Sequence, residues 1–278
     1  MPLFSRFRAR LALAGALCAA CAVSAASPSP YTYRIPIPGL SVVGSASLAS
    51  APYGILVPAY FDPYSDPTDW NTLVQTAGRV PLLVILNVNS GPGSAQDPTY
   101  VSLVNQLRAK GALVYGYVHT SGGTRALGTV EAEVAQYHAW YALDGVFVDE
   151  YASTATSSTL SYYESLAAAI RGDGWAIMGN PGTNFDEAFL TDHTADAFVD
   201  FEDVQANVAA SPQPAWQPTF PSGQFAEIFL SAPDVAQAAT QISTQRHAYW
   251  LYATPQGVST AYSSLDSSFA TLVSNDHP

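Results

Sequence analysis

Residues 144–151 read DGVFVDEY, in which a short apolar run, Val146 to Val148, is followed at once by two carboxylates, Asp149 and Glu150. A buried pair of like charges is costly, whereas an acid on the surface needs no buried strand to carry it. The position of this strand in the fold, and the polar side chains that end beside it, therefore decide what the two carboxylates do.

This stretch is one of eight apolar runs of strand length that are rich in β-branched or aromatic residues. The predicted strands are 53–60, 81–89, 113–119, 145–150, 175–180, 197–202, 225–230 and 248–253. Helical patterns are predicted over 68–78, 99–111, 128–141, 157–174 and 232–246, with a last helix over 262–273. Gly78, Gly111 and Gly174 stand where a helix end favours a left-handed residue.

Strands that are apolar on both faces and alternate with helices predict a parallel sheet. Eight such units in about 250 residues match an α/β fold of the (β/α)8 TIM barrel type, as a single domain over 51–278. An open doubly wound sheet fits less well, and no Gly-x-Gly-x-x-Gly follows the first strand to indicate a dinucleotide site. The Pro-rich stretch 211–221 is predicted to be a long loop after the sixth strand.

The first 25 residues have the pattern of a secretory signal peptide. Three arginines precede residue 11, an apolar stretch over 11–23 is too short to span a membrane, and small residues follow. We expect residues 1–25 to be removed, 26–50 to form a flexible leader, and the product to be secreted, to the extracellular space or the periplasm. Cys18 and Cys21 both lie in this segment, so the mature chain would have no disulfide and no thiol nucleophile.

The chain is acidic, with 22 Asp and Glu against 10 Lys and Arg and a net charge of −12. Without the three arginines of the predicted signal peptide, the balance is 7 − 22 = −15. Such a surface repels nucleic acid and anionic lipid and favours cationic partners. We therefore expect no nucleic-acid partner, and no membrane contact once the signal peptide is removed. The 16 tyrosines and 5 tryptophans also suit a protein that binds sugars through exposed rings.

In a TIM barrel the carboxyl ends of the strands meet at one face, where active sites are built. The predicted ends carry carboxylates, amides and tyrosines but little positive charge. Asp149 and Glu150 on the fourth strand would face Glu202 on the sixth, and these three are the predicted catalytic residues. Predicted substrate-binding residues at the same face are Tyr60, Asn87, Asn89, Tyr117, His119, Arg125, Asn180, Glu227 and Tyr252.

Glycosidic cleavage needs one ionised and one protonated carboxyl group, and two partly buried acids close together can supply both states. Because neighbouring strand residues point to opposite sides, only one of Asp149 and Glu150 is expected to touch the reacting carbon. Glu227 is equally well explained as structural, and Arg125 is the expected counter-ion of the carboxylates. The histidines have no zinc-site spacing, so we expect no metal, and no Gly-x-Ser-x-Gly is present to indicate a serine nucleophile. We also expect no cofactor.

Seven short stretches resemble one family in residues and in order. They are 54–60 GILVPAY, 87–93 NVNSGPG, 116–120 GYVHT with Arg125, 140–141 WY, 144–150 DGVFVDE, 180–183 NPGT and 201–202 FE. The set resembles the spherulation-specific family 4 (spherulin-4-like) proteins, grouped with glycoside hydrolase family 135 and related to the endo-α-1,4-polygalactosaminidases. The chain departs from the family pattern at Val88, where Pro is usual, and at Gly122-Gly123, near which a Tyr-Gly pair is usual.

The resemblance implies a barrel endo-glycosidase that cleaves α-1,4-linked N-acetylgalactosamine or galactosamine polysaccharide, such as galactosaminogalactan in an exopolysaccharide or biofilm matrix. It also implies that Asp149, Glu150 and Glu202 are essential. In an α-linked galactosaminide the 2-substituent and the leaving oxygen are cis, so the substituent cannot attack from the rear and a protein carboxylate must act. We expect Asp149 as nucleophile, Glu202 as acid/base, and Glu150 as orienter or pKa modifier.

The distance between the nucleophile and the acid/base carboxyl groups predicts the stereochemistry of the reaction. About 5 Å favours retention at the anomeric carbon, and well above about 6.5 Å favours inversion. The acidic surface suits a cationic, partly de-N-acetylated polymer. Two alternatives from other classes remain, a non-catalytic barrel that binds polysaccharide and a structural coat or matrix protein.

Overall fold

The computed structural model describes residues 51–276. The predicted signal peptide over 1–25 and the predicted leader over 26–50 lie outside the described residues, so both remain predictions, as does secretion. Within 51–276, no helix is both long and apolar enough to cross a membrane.

Eight parallel strands close into a barrel in chain order, each paired with the next and the first paired with the last. Closure is made where Gly54 and Ile55 pair with Trp250 and Leu251. The strands are β1 (Gly54–Ala59), β2 (Leu82–Leu86), β3 (Leu113–His119), β4 (Gly145–Asp149), β5 (Ala176–Gly179), β6 (Ala197–Val204), β7 (Phe225–Leu230) and β8 (Trp250–Ala253). The predicted (β/α)8 barrel is confirmed.

Helices surround the barrel and alternate with its strands. They are α1 (Pro67–Thr76), α2 (Pro98–Ala109), α3 (Leu127–Trp140), α4 (Ser157–Gly172), α5 (Ala188–Thr191), α6 (Val235–Gln245) and α7 (Phe269–Asp276). Between β6 and β7 there are three short 3₁₀ segments in place of an α-helix, which agrees with the predicted loop over 211–221. The last helix was predicted from residue 262, but α7 begins at Phe269, so residues 262–268 belong to the loop that follows β8.

Local sequence signals explain where the helices begin and end. The side chain of Thr156 accepts a hydrogen bond from the backbone of Thr159 and the reverse bond is also made, so α4 starts with a capping box. Gly78, Gly111 and Gly174 have φ of +80°, +92° and +83°, the left-handed conformation predicted for them. Short loops are thereby fixed at the face opposite the carboxyl ends of the strands.

Two strand glycines allow the close packing of the barrel. A Cβ on Gly145 would lie 2.5 Å from the backbone oxygen of Ala176 and 2.8 Å from the ring of Tyr115. A Cβ on Gly54 would lie 2.6 Å from the ring of Trp250. Because backbone cannot move aside as a flexible side chain can, Gly145 holds β4 at the spacing that places Asp149 at the end of that strand.

Gly145→Ala is expected to lower the free energy of unfolding by about 1–3 kcal/mol, because the new methyl group overpacks a rigid wall. Gly128→Ala in α3 is the matched control, since its Cβ would meet nothing within 4 Å. Urea denaturation of both variants measures the difference. Equal stability of the two variants would contradict the close-packing argument.

Candidate active site

A chain of hydrogen bonds crosses the carboxyl end of the barrel. The Tyr117 hydroxyl donates to Asp149 Oδ2 at 2.8 Å, and the Tyr262 hydroxyl donates to Glu202 Oε1 at 2.5 Å. Asn180 lies between the two acids, and its Nδ2 donates to Asp149 Oδ1 at 2.8 Å and to Glu202 Oε2 at 2.7 Å. Residues from β3, β4, β6 and the loops after β5 and β8 thus meet in one cluster, named here the carboxylate cluster.

The shared amide limits the distance between the two acids. Because Asp149 Oδ1 and Glu202 Oε2 both contact Asn180 Nδ2, they lie no more than 5.5 Å apart, the sum of the lengths 2.8 Å and 2.7 Å. Asn180 is itself only 7% exposed, so it forms part of the wall beneath the two acids. Asp149 and Glu202 are only partly buried and remain open to a ligand at this face.

Backbone hydrogen bonds explain how three strands bring these groups together. The Asn180 amide donates to Val148 O at 2.8 Å and its carbonyl accepts from Tyr151 N at 2.9 Å, so Asn180 is tied on both sides to the end of β4. The Glu202 amide donates to Gly182 O at 2.9 Å. Gly182 has φ +64°, a left-handed conformation that glycine adopts without strain. The stretch Asn180 to Gly182 therefore sets β4 and β6 relative to each other.

Burial and hydrogen bonding shift the pKa values of Asp149 and Glu202 in opposite directions. Burial raises the pKa of Asp149, and the hydrogen bonds from Tyr117, the backbone of Glu150 and Asn180 lower it. Burial likewise raises the pKa of Glu202, against the hydrogen bonds from Tyr262 and Asn180. In both cases burial is the largest effect and the net pKa is raised. A raised carboxyl pKa is what a proton donor needs near neutral pH.

Tyr60, the residue that follows β1, contacts both tyrosines of the carboxylate cluster. Its ring packs edge-on against Tyr117 and Tyr262, with ring centroids 5.4 Å and 5.3 Å apart. Burial, followed by the charge of Asp149, raises the Tyr60 pKa, so its hydroxyl stays protonated. The prediction that Tyr60 and Tyr117 lie at the site is thus matched by their positions, although their contact with a substrate remains a prediction.

Glu150 makes its side-chain contacts outside the carboxylate cluster. It has a left-handed backbone with φ +49°, which is rare for a residue with a Cβ, and its side chain is 56% exposed. The carboxylate accepts a hydrogen bond from Ser121 Oγ at 3.1 Å and lies 3.3 Å from His119 Nδ1. The bond from Ser121 lowers the Glu150 pKa. The two neighbouring acids are therefore separated: Asp149 faces Glu202, and Glu150 is an ionised group at the rim.

The other predicted substrate-binding residues have mixed outcomes. Asn87 Oδ1 accepts from Gly91 N at 3.2 Å and so supports the loop after β2, while Asn89 is exposed on that loop. Arg125 was expected as counter-ion of the catalytic acids, but its guanidinium pairs with Glu133 and donates to His119 O. That expectation is wrong, because a closer carboxylate on α3 takes the charge.

Tyr252 was also predicted to bind substrate, but it is 3% exposed and its hydroxyl donates to Ala261 O at 3.1 Å. Its ring lies 6.2 Å from that of Tyr262. Tyr252 therefore supports the loop that carries Tyr262 and does not line the open face. The same loop is fixed to α1 by the bond from Leu265 N to Asp69 Oδ2 at 2.9 Å.

The prediction that Glu227 binds substrate at the end of a strand is wrong. It is the third residue of β7 rather than its end, it is fully buried, and Arg246 Nε donates to its Oε1 at 2.6 Å. Gln213 Nε2 bridges Glu227 and the equally buried Asp200, at 3.1 Å and 3.0 Å. Glu227 is thus structural, and these four residues form a largely buried network that holds the loop between β6 and β7.

Burial raises the pKa of Asp200 to about 6 and that of Glu227 to about 8, although Arg246 lowers both. The two acids share one arginine, so the pair retains a proton into the neutral range. Between the ordinary glutamate pKa and about 8, the folded protein binds more protons than the unfolded chain. This contribution to stability is full below the ordinary pKa and is lost as pH rises through about 8.

Glu227→Gln is expected to flatten the fall of melting temperature between pH 5 and pH 9 because it removes one of the two titrating groups. It should also lower the melting temperature at every pH, since Arg246 loses its closest partner. Calorimetric melts over this range measure both effects, with Glu164→Gln on the exposed face of α4 as control. An unchanged slope in Glu227→Gln would contradict the shared proton.

Tyr262 and Ser121 were not among the residues predicted from the sequence. Tyr262 lies 60 residues after Glu202. It falls in a segment predicted to be helical, and that prediction did not indicate a partner for its hydroxyl. Ser121 follows β3 and has φ +50°. A tyrosine in the loop after the last strand of a barrel is a weak signal that could have indicated Tyr262, because such loops border the carboxyl ends.

Tyr117 and Tyr262 offer a matched pair of substitutions. Tyr262→Phe is expected to raise the pKa of Glu202, and Tyr117→Phe that of Asp149, because each removes a donor to one ionised carboxylate. Carbon-13 NMR titration of labelled side-chain carboxyl groups measures each shift without a substrate. If both substitutions moved the same carboxyl group, the assignment of one tyrosine to each acid would be wrong.

Among residues 51–276 there is no group of three or more His, Cys, Asp or Glu side chains arranged to hold a metal ion. The site thus consists of two acids joined by an amide, each with its own tyrosine donor. Together the fold and the site define a TIM-barrel protein with paired carboxylates at the carboxyl end of its strands.

Comparison with known proteins then identifies the family. Residues 54–275 match the model of spherulation-specific family 4, and the chain belongs to this family. Spherulin-4 of Physarum polycephalum is 35% identical over 174 residues, which are 61% of this chain and 50% of that protein. The chain thus matches half the length of this curated relative. The structure of Aspergillus clavatus Sph3 in complex with GalNAc is similar in fold, with a TM-score of 0.71 and 22% identity over 82% of this chain and 98% of that one.

Proposed function

We propose that the protein is a retaining glycoside hydrolase in which Asp149 is the nucleophile and Glu202 the acid/base. The observation that carries this proposal is the single amide of Asn180, which limits the two nearest carboxylate oxygens to 5.5 Å. Retaining glycosidases place their carboxyl groups about 5–5.5 Å apart, whereas inverting enzymes need about 6.5–9.5 Å to admit a water molecule. The carboxylate cluster therefore supports the two-step reaction.

The division of roles follows from the hydrogen bonds. Asp149 accepts from Tyr117, Asn180 and the backbone of Glu150, whereas Glu202 accepts from Tyr262 and Asn180. The additional donor and the lower intrinsic pKa of aspartate favour the ionised form of Asp149. Glu202 is thus the better group to hold a proton.

In the first step, Asp149 forms a bond to the anomeric carbon as the glycosidic C–O bond breaks and the Glu202 proton moves to the leaving oxygen. In the second step, a water oxygen bonds to the same carbon, its proton passes to Glu202, and Asp149 leaves with its electron pair. Two inversions return the original configuration. Asn180 touches both acids throughout and so positions them without exchanging a proton.

For the substrate, we propose α-1,4-linked N-acetylgalactosamine or galactosamine polysaccharide of an extracellular matrix. The GalNAc ligand of the Aspergillus clavatus structure supports an amino sugar of this configuration. The net charge of −12 and the ionised Glu150 at the rim support a polymer that carries some free amino groups. Secretion, as the predicted signal peptide implies, would bring the protein to such a polymer.

Hydrolysis of galactosaminogalactan and of polygalactosamine, followed by mass spectrometry of the released oligosaccharides, tests the proposal. Asp149→Asn and Glu202→Gln are each expected to lower kcat by at least about a hundredfold. Asp203→Asn is the matched control, because this neighbour of Glu202 bonds to Asn207 and not to the cluster. Binding without product in the wild-type protein would instead identify a non-catalytic polysaccharide-binding barrel.

The stereochemical outcome is a separate test. Proton NMR during the first minutes of hydrolysis is expected to show the α-anomer of the new reducing end before mutarotation adds the β-anomer. The reason is that a water molecule does not fit between carboxyl groups this close. A β-anomer as first product would exclude the retaining mechanism while leaving a glycosidase in place.

A further inference from the structure

Large apolar side chains are rarely exposed in this protein. In the described part of the chain, the exposed large hydrophobic residues are Tyr64, at 64%, and Val258, at 68%. Tyr64 lies in the loop after β1 and Val258 in the loop after β8, and these two strands are neighbours in the closed barrel. Both residues therefore lie at the end of the barrel that carries the carboxylate cluster.

The Tyr64 ring is exposed but fixed in place. Its hydroxyl lies 3.0 Å and 3.1 Å from the two carboxylate oxygens of Asp97 and accepts from Thr99 Oγ1 at 2.9 Å. Its backbone amide donates to Asp62 Oδ1 at 2.7 Å. A tyrosine whose hydroxyl is satisfied by protein groups presents mainly the apolar faces of its ring to the solvent.

The base of this loop is rigid. Phe61 is buried against Trp70, with ring centroids 5.5 Å apart, and Trp70 Nε1 donates to Phe61 O at 3.0 Å. Trp70 in turn packs against Tyr100 of α2 at 5.7 Å. Binding to the Tyr64 ring would therefore require little ordering of the loop, and low ordering cost favours affinity.

The loop also connects the ring directly to the cluster. Tyr60, which packs against Tyr117 and Tyr262, precedes Tyr64 by four residues. Four steps of 3.8 Å place the two Cα atoms at most about 15 Å apart. A polymer bound at the two acids and extended over the β1 side of the rim would reach Tyr64 within a few sugar units.

We propose that Tyr64 is the platform of an outer subsite, on which one sugar ring of the polysaccharide stacks away from the bond that is cleaved. This rests on the proposed function for the identity of the polymer. A galacto-configured ring presents the C–H bonds of C3, C4 and C5 on one face, and this face matches the exposed face of a tyrosine. The subsite holds the chain and takes no part in bond cleavage.

The test compares Tyr64→Ala with Tyr64→Phe, which keeps the ring and loses the hydroxyl contacts, and with Val258→Ala, which removes exposed apolar surface without a ring. On long α-1,4-galactosaminoglycan, Tyr64→Ala is expected to raise KM about three- to tenfold with kcat unchanged. Tyr64→Phe and Val258→Ala are expected to stay near wild type. On oligosaccharides too short to reach the rim, all four proteins should have the same kcat/KM.

An unchanged KM of Tyr64→Ala on the long polymer would overturn the subsite. So would an equal loss in Tyr64→Phe or Val258→Ala, because the ring would then not be the cause. Affinity electrophoresis in gels that contain galactosaminoglycan, chitosan or a neutral galactan gives a readout independent of cleavage. Retardation by another polymer that Tyr64→Ala abolishes would support the subsite while the proposed substrate fails, and a wild-type protein that is neither retarded by any of the three polymers nor able to hydrolyse one would overturn both.

Discussion

The candidate site depends on one amide nitrogen that donates to two carboxylates. Two ionised acids this close repel each other, and both are partly removed from water, so their arrangement is unfavourable unless donors compensate. Asn180 Nδ2 supplies a donor to each acid at once, and Tyr117 and Tyr262 supply one more on the outer side. A single small side chain thereby fixes the spacing, limits the repulsion and links the proton affinities of Asp149 and Glu202.

The barrel makes this arrangement possible because its parallel strands end at one rim. Asp149, Asn180 and Glu202 come from consecutive strands, and the backbone bonds of Asn180 and Gly182 tie β4 and β6 together across β5. The buried pair of Asp200 and Glu227 lies on β6 and β7 and holds the following loop through Gln213. Acidic residues on neighbouring strands thus have two separate roles. Asp149 and Glu202 are open to solvent at the rim, whereas Asp200 and Glu227 are buried in the barrel wall and hold a loop.

Glu150 shows why two adjacent acids need not act together. A left-handed backbone at φ +49° and the contacts with Ser121 and His119 hold it at the rim, while Asp149 faces the cluster. The strained conformation is supported by a loop whose hydroxyl and backbone groups surround it, as in other strained residues near functional sites. An exposed carboxylate whose pKa is lowered is a poorer proton donor than the less exposed acid beside it, whose pKa is raised.

The sequence by itself determined the barrel, because eight apolar runs alternating with helical patterns leave few other ways to bury both faces of a parallel sheet. It also determined that Asp149, Asn180 and Glu202 stand at or near the carboxyl ends of strands, since their distance from each apolar run is local information. Only the tertiary structure decided which polar groups touch. Tyr262 reaches Glu202 across 60 residues, and Arg246 reaches Glu227 across 19 and makes it structural. Such pairings depend on loop paths and backbone dihedral angles, and neither is encoded in the periodicity that predicts strands and helices.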